Sequence, residues 1–365
     1  MNLKKLSISL IPIILVGIGY FAFSTINSSP PIYISNHEKH RGVCWVGSSR
    51  IISKSELDDL VTKNINWISQ TPFGWQRGHD SPIIGTNHGD QNQAWWGERD
   101  EGLKTTTEFA KANGIKTILK PHIWLRDEEG KWRGEIKMKS EEDWQAWFAA
   151  YENFIMHYAK IAEEANMEML CIGTELHQTC VEREEDWRTL IAKIRTVYSG
   201  PLTYAANFSG EYEDVKFWDA LDFIGVQAYF PLTTKEEPSV EELRSGWQKP
   251  IDDLEQFSKK YNKPILFTEV GYKSTKDTGI DPWEWPQRLS ETDREKIFSE
   301  QTQANAYKAL FAEVMDEPWF AGVHIWKWYP GYDDAKRPSG EFNIDFTPQK
   351  KQAEKVITEA FAKFK

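Results

Sequence analysis

Pro264-Ile-Leu-Phe-Thr-Glu-Val-Gly-Tyr272 is the stretch on which the reading of this chain turns. Its apolar run breaks off at Thr268-Glu269 and a glycine-containing loop follows at once. A short apolar run bounded by turn signals predicts a parallel strand buried on both faces. Side chains alternate along a strand, which predicts that Glu269 shares the interior side with Phe267 and Ile265. A carboxylate held at an interior strand tip is costly unless it is paired or does chemistry. Met169-Leu-Cys-Ile-Gly-Thr-Glu175 repeats the arrangement, with Glu175 on the side of Gly173 and Cys171. Two such strands predict paired carboxylates over the mouth of a barrel.

Outward from these two strands the chain alternates strand and helix. Strands are expected at Arg41–Val46, Ile65–Thr71, Ile115–His122, Leu202–Asn207, Asp222–Tyr229 and Phe320–Trp328. Helices are expected at Ser55–Lys63 (with Ser55 as cap), up to Asn113, at Glu141–Asn166, up to Tyr198, at Val240–Tyr261, up to Met315, and at Pro348–Phe364. Eight strand–helix units without a close repeat predict an α/β chain folded as a (β/α)8 TIM barrel. A doubly wound sheet is the alternative, weakened because no glycine-rich phosphate loop follows the first strand. The stretch Pro72–Arg99 reads as a long functional loop. The single catalytic domain is expected over residues 41–365.

The N-terminus reads differently. Lys4-Lys5 precede an uncharged, mostly apolar run from Leu6 to Phe23, long enough for a signal-peptide core or a short span. Residues 1–25 are therefore expected to be a signal peptide or membrane anchor, with attachment through residues 6–23, and residues 26–40 a linker. The lysine pair should stay on the cytoplasmic side, so the remainder is expected to be exported, either released or facing outward from the membrane.

Lys and Arg number 44 against 55 Asp and Glu, for a net charge of −11. That balance argues against non-specific nucleic-acid binding, which requires a basic face. Three cysteines permit at most one disulfide and leave the redox compartment undecided. The chain also carries 17 Trp, 13 Tyr and 19 Phe, and Trp75, Trp95, Trp96, Trp124, Trp132, Trp283 and Trp285 fall in stretches that read as loops. Flat apolar rings among polar loop residues suit the faces of sugars, although some such rings only cap a core.

Active residues of such barrels lie at the C-terminal strand ends. Those ends supply Trp45, Thr71, His122, Glu175, Asn207, Tyr229, Glu269 and Trp326. Two carboxylates with these neighbours form an inventory for cleaving glycosidic bonds, where one carboxylic acid protonates the leaving oxygen and the other carboxylate attacks or activates water. Lys120 shares parity with His122, so it is expected to point inward, toward either a substrate or a buried anion. His79, Asp80, His88 and Asp90 share a loop but match no metal-binding spacing. Cys171 and Gly173 are expected to fill the barrel. His177 either touches the leaving-group side or packs its loop.

Taken together, the segments RGVCWVG, LKPHIWL, CIGTELH, FIGVQAYFPL, LFTEVGY and VHIWKWYP resemble glycoside hydrolase family 113. The resemblance runs from about Arg41 to the C-terminus. It implies a retaining enzyme of the endo-β-1,4-mannanase type acting on β-mannan-type polysaccharide or oligosaccharide. The alternatives are a gluco- or xylo-configured β-glycan as substrate, or a non-catalytic carbohydrate-binding barrel. A monomer without cofactor or metal is expected. The resemblance further implies Glu175 as acid/base and Glu269 as nucleophile, with carboxyl groups about 5–5.5 Å apart. Tyr229 matches the tyrosine that contacts the nucleophile, and Trp326 the platform under the reacting sugar. Many members of the wider clan carry Asn directly before the acid/base. This chain has Thr174 there, which leaves Asn207 or His122 to hold the sugar 2-hydroxyl. Trp45, Trp75, Lys120 and Trp124 complete the expected substrate contacts.

Overall fold

Two prolines mark where the barrel ends and the rim begins. The computed structural model of the chain describes residues 38–87, 94–126, 130–286, 288–332 and 342–365. Its strands are β1 (His40–Trp45), β2 (Trp67–Gln70), β3 (Phe73–Gln76), β4 (Lys116–Leu119), β5 (His122–Leu125), β6 (Met169–Thr174), β7 (Leu202–Asn207), β8 (Phe223–Gln227), β9 (Ile265–Val270) and β10 (Phe320–Trp328). Eight of them close a parallel barrel in the order β1-β2-β4-β6-β7-β8-β9-β10, as the alternation of strands and helices predicts. The expected second strand stops ahead of Pro72, and the expected third strand is interrupted at Lys120-Pro121. Proline has no N–H to give a ladder. Beyond the break the two chains resume as a separate parallel pair, with Phe73 opposite His122 and Trp75 opposite Trp124. The stretch read as one long loop from Pro72 thus begins as a strand.

The connections follow local chemistry. Asn64, Asn166 and Asn262 take left-handed conformations just after the helices Ser55–Thr62, Glu141–Glu164 and Val240–Tyr261. Asparagine tolerates that geometry and ends a helix cleanly. At the start of the first of these helices, Ser55 is already helical and Lys54 is the cap. Glu56 accepts from the Ser53 N–H instead.

Trp67, Ile118, Met169, Cys171, Ala205, Leu266 and Ala321 form the barrel's interior cluster. Beside it, His40 stacks on Trp67 and meets His324 ring nitrogen to ring nitrogen at 3.1 Å. Gly42 gives His324 its room, because a Cβ there would lie 2.6 Å from that ring. All three cysteines are free and buried. Burial pushes the Cys44 and Cys171 thiols up to about 12 and about 11, so both stay protonated.

Alternation fails where it matters most. Ile265 and Phe267 face the helix layer, and Phe267 stacks on Trp247 of helix Val240–Tyr261. Along β9, Phe267 pairs with Val226 but Glu269 pairs with Gln227, so Thr268 is an extra residue. That bulge turns Glu269 inward. In β6, Cys171 pairs with Thr203 and Thr174 with Ala205, three steps against two. Gly173 accordingly faces outward, where a Cβ would meet the Tyr204 and Trp187 rings at 2.8 and 2.9 Å. It does not fill the barrel.

Candidate active site

Glu269 is held from beneath. Lys120 Nζ donates to its Oε2 at 2.7 Å, to the Thr268 carbonyl at 3.1 Å and to Gln227 Oε1 at 3.3 Å. Burial disfavours the Lys120 ammonium, but the adjacent Glu269 carboxylate, together with Cys44 and Cys171, outweighs burial and the net shift is upward. Tyr229 donates its O–H to Glu269 Oε1 at 2.5 Å. Burial, with the Glu269 charge added, raises Tyr229 well above the usual phenol range and keeps it a donor. Both oxygens of the Glu269 carboxyl group therefore have a donor, one from a cation and one from a phenol.

Glu175 is held from the side. Its backbone is left-handed, with φ 52°, a conformation that costs on the order of 1–3 kcal/mol and persists only where surroundings fix it. Its N–H is taken by the Ala205 carbonyl at 2.9 Å. Arg133 donates to Oε2 twice, from Nε at 3.0 Å and Nη2 at 2.6 Å. Asn207 Nδ2 donates to Oε1 at 2.7 Å, while Ser209 N–H occupies Asn207 Oδ1 and fixes the amide. For Arg133, burial is again outweighed by the neighbouring glutamate, and the net shift is upward.

Both glutamates open onto one cavity, part of it open to solvent. Phe73, His122 and Trp124 line one side, and Trp283, Trp285, Trp326 and Phe346 line another, with Arg133 and Tyr229 beside the glutamates. Trp124, Trp283 and Trp285 are exposed, while Trp326 lies nearly buried with Trp285 edge-on to it at 6.2 Å. The Trp326–Lys327 peptide is cis. His122 is neutral: burial lowers it well below the usual range, with Lys120 and Arg133 acting in the same direction. Its Nε2 has no partner among the described residues.

Comparison with known proteins places this arrangement. The profile of Glycoside Hydrolase Family 113 matches residues 47–351. The chain belongs to glycoside hydrolase family 113. A GH113 beta-mannanase from Alicyclobacillus acidocaldarius in complex with ManMIm is 30% identical, over 90% of this chain and 99% of that one, with a TM-score of 0.76. A complex structure of a GH113 beta-1,4-mannanase is 27% identical over 89% of this chain and 99% of the other, with a TM-score of 0.73. A b-glucuronidase from Ruminococcus gnavus shares the fold, at 15% identity over 84% of this chain and 46% of that chain, with a TM-score of 0.53. No curated protein matches the chain.

Within this family 113 enzyme the expected contacts divide. His122, Trp124, Tyr229 and Trp326 reach the cavity together with both glutamates. Trp45 does not: it packs in the cluster between strands and helices, because Cys44 takes the inward position beside Tyr229 and Trp326. Trp75 is half-buried beneath the Arg126 guanidinium, 4.3 Å from the ring centre, and pairs with Gly85 instead of lining the cavity. Lys120 is fully buried and engaged by Glu269, the buried anion and not a substrate contact. Asn207 touches Glu175 and not the cavity wall. His177 binds Asp214 at 2.8 Å, and Asp80 pairs with Lys139. His88 and Asp90, like residues 6–23, lie outside the described residues. Among the described residues no helix is long and apolar enough to cross a membrane.

Arg133 is the functional residue that reading the sequence misses. Its signal is faint: a cation beside Trp132 in the segment after the third barrel strand, where no periodicity reports direction. Glu211 and Tyr204, behind Asn207, are equally silent.

Proposed function

We propose that this family 113 hydrolase cleaves β-1,4-mannosidic bonds in mannan, glucomannan or derived oligosaccharides by double displacement with retention. The observation that carries the reading is the pair Glu175 and Glu269, brought by β6 and β9 to one tryptophan-walled cavity with different donors on each. Glu269, held in place by Lys120 and Tyr229, attacks the anomeric carbon while Glu175 gives its proton to the departing glycosidic oxygen. Glu175 is then a carboxylate, the form that Arg133 and Asn207 bind, and it takes a proton from the water that releases the sugar. Protonation of Glu175 removes the charge that Arg133 pairs with, so the proton-loaded state weakens the Arg133 contact. Trp326 supplies an apolar face under the reacting ring as positive charge develops there.

The mannose configuration rests on the beta-mannanases among the solved relatives. Purified enzyme should release reducing ends from mannan and glucomannan faster than from cellulose or xylan. Proton NMR of the first products should show the β-anomer before mutarotation. An α-anomer formed first would overturn retention, and preference for cellulose or xylan would overturn the substrate. The lysine pair and apolar run at Lys4–Phe23 support action outside the cytoplasmic membrane. Fractionated cells should carry the activity in the exported or membrane fraction; activity confined to the cytoplasm would refute export.

A further inference from the structure

The loop that follows β7 carries a carboxyl group for which the reaction above has no use. Glu211 opens the short helix Glu211–Asp214 and is fully buried, away from the cavity wall. Its Oε1 accepts the Tyr204 O–H at 2.5 Å, and its Oε2 accepts the Asn207 N–H at 2.7 Å. Neither partner is a cation. Burial raises Glu211 to about 8, with the Glu175 charge adding to the shift.

Each partner leads to Glu175. The Tyr204 oxygen accepts the N–H of Leu176, the next residue along the chain, at 2.6 Å. Asn207 donates its side-chain amide to Glu175 Oε1. A residue in a left-handed conformation needs its neighbours fixed, and here Tyr204 fixes the backbone after Glu175 while Asn207 fixes the side chain. Both are tied to one carboxyl group.

We infer that Glu211 is a positioning residue that holds Glu175 through two arms, Tyr204 to the Leu176 backbone and Asn207 to the carboxylate, and so aims the proton at the leaving oxygen. The inference rests on the acid/base reading of Glu175. A carboxyl group of either protonation state serves, since one oxygen keeps the Asn207 N–H and the other keeps the phenol. An amide can do the same: its oxygen accepts from Asn207 and its NH2 donates to Tyr204. Contact matters here, not charge.

The test uses leaving groups. A β-1,4-mannooligosaccharide needs its departing alcohol protonated, whereas a dinitrophenyl β-mannoside departs with little help. Glu211→Ala should lower kcat/KM on the oligosaccharide by on the order of 10²-fold, the scale of general acid catalysis. The aryl substrate should change only a few-fold. Glu211→Gln should restore the oligosaccharide rate to within a few-fold of wild type. Equal losses on both substrates, or no loss on either, would overturn the inference. Tyr204→Phe severs one arm at nearly constant volume; should Glu211→Ala fail to fold, it must show the same discrimination, more weakly, or the inference falls. Glu175→Ala, measured in parallel, separates the two ideas. If it discriminates between the substrates and the Glu211 and Tyr204 variants do not, only the positioning role is lost. If Glu175→Ala does not discriminate, the acid/base reading itself is wrong.

Discussion

Glu269 and Glu175 occupy equivalent places, each beyond a bulge at the C-terminal end of a barrel strand, yet they are anchored in opposite ways. Glu269 is bound from below by Lys120 at the end of β4 and by Tyr229 just past β8. Glu175 is bound by Arg133, from a segment beyond the barrel, and by Asn207 at the tip of β7. On the proposed roles the difference has a reason. A nucleophile works from one charge state and one position, which a fully buried cation in a strand layer enforces. An acid/base changes protonation twice per turnover, and a cation carried outside the barrel can loosen without disturbing the core.

The largest expected effect sets the two glutamates apart directly. Glu269→Ala and Glu175→Ala should both reduce oligosaccharide turnover to the limit of detection. With added azide, the Glu269 variant should form an α-glycosyl azide and the Glu175 variant a β-glycosyl azide, read by NMR. The same anomer from both would erase the distinction. Next come the cations. Lys120→Met strands a buried carboxylate, which costs about 3–5 kcal/mol, so melting temperature and activity should fall together. Arg133→Met faces a cavity that water can enter, so activity should fall while most of the melting temperature survives. Equal thermal losses would show that the two anchors are alike.

Tyr229→Phe removes one hydrogen bond to a charged group, worth about 1.5–3 kcal/mol. Its kcat/KM should fall by about 10- to 100-fold with the melting temperature nearly unchanged. An unchanged kcat/KM would take Tyr229 out of the Glu269 anchor. Smaller again is the effect of the rings. Trp326→Ala should depress kcat, and Trp285→Ala should mainly raise KM on long substrates, each contact being worth about 1 kcal/mol or somewhat more. A stable Trp326→Ala variant with wild-type kcat would sink the platform role.

The last expectation is a slope. Glu211 sits at about 8 in the folded chain against an ordinary 4.5. Across that window the folded state keeps a proton that the unfolded state has released, so stability falls as pH rises from about 4.5 to about 8. Glu211→Gln lacks this titration. Denaturant unfolding as a function of pH should show the wild type losing stability relative to the variant across that interval, and parallel curves would place the proton elsewhere.

The barrel and both glutamates were legible because buried parallel strands write continuous apolar runs that stop abruptly. Direction was less so. Strict alternation assigns Ile265 and Phe267 to the interior, and they face helices; Glu269 points inward only because Thr268 is inserted. A one-residue bulge leaves no mark on a hydrophobic pattern. Trp45 was misplaced for a different reason: it stands at the strand's tip, while alternation along β1 puts Cys44 inward. Lys120 could be read as inward but not assigned a partner, because its anion lies 149 residues away in sequence. Arg133 and Glu211 belong to connections, where position follows from tertiary contact alone.

The ribbon of β3 and β5 has a mechanical consequence. Its two strands share hydrogen bonds from Phe73 opposite His122 to Gln76 opposite Leu125, so Phe73, His122 and Trp124 ride on one plank hinged at Pro72 and Pro121. Shifting any of them along the ladder shifts all three. The Trp283 and Trp285 rings, which line the same cavity, belong to no strand. Variants that widen or narrow the cleft for a bulkier glycan therefore have their freedom at Trp283 and Trp285, and a change in the ribbon moves three lining residues together.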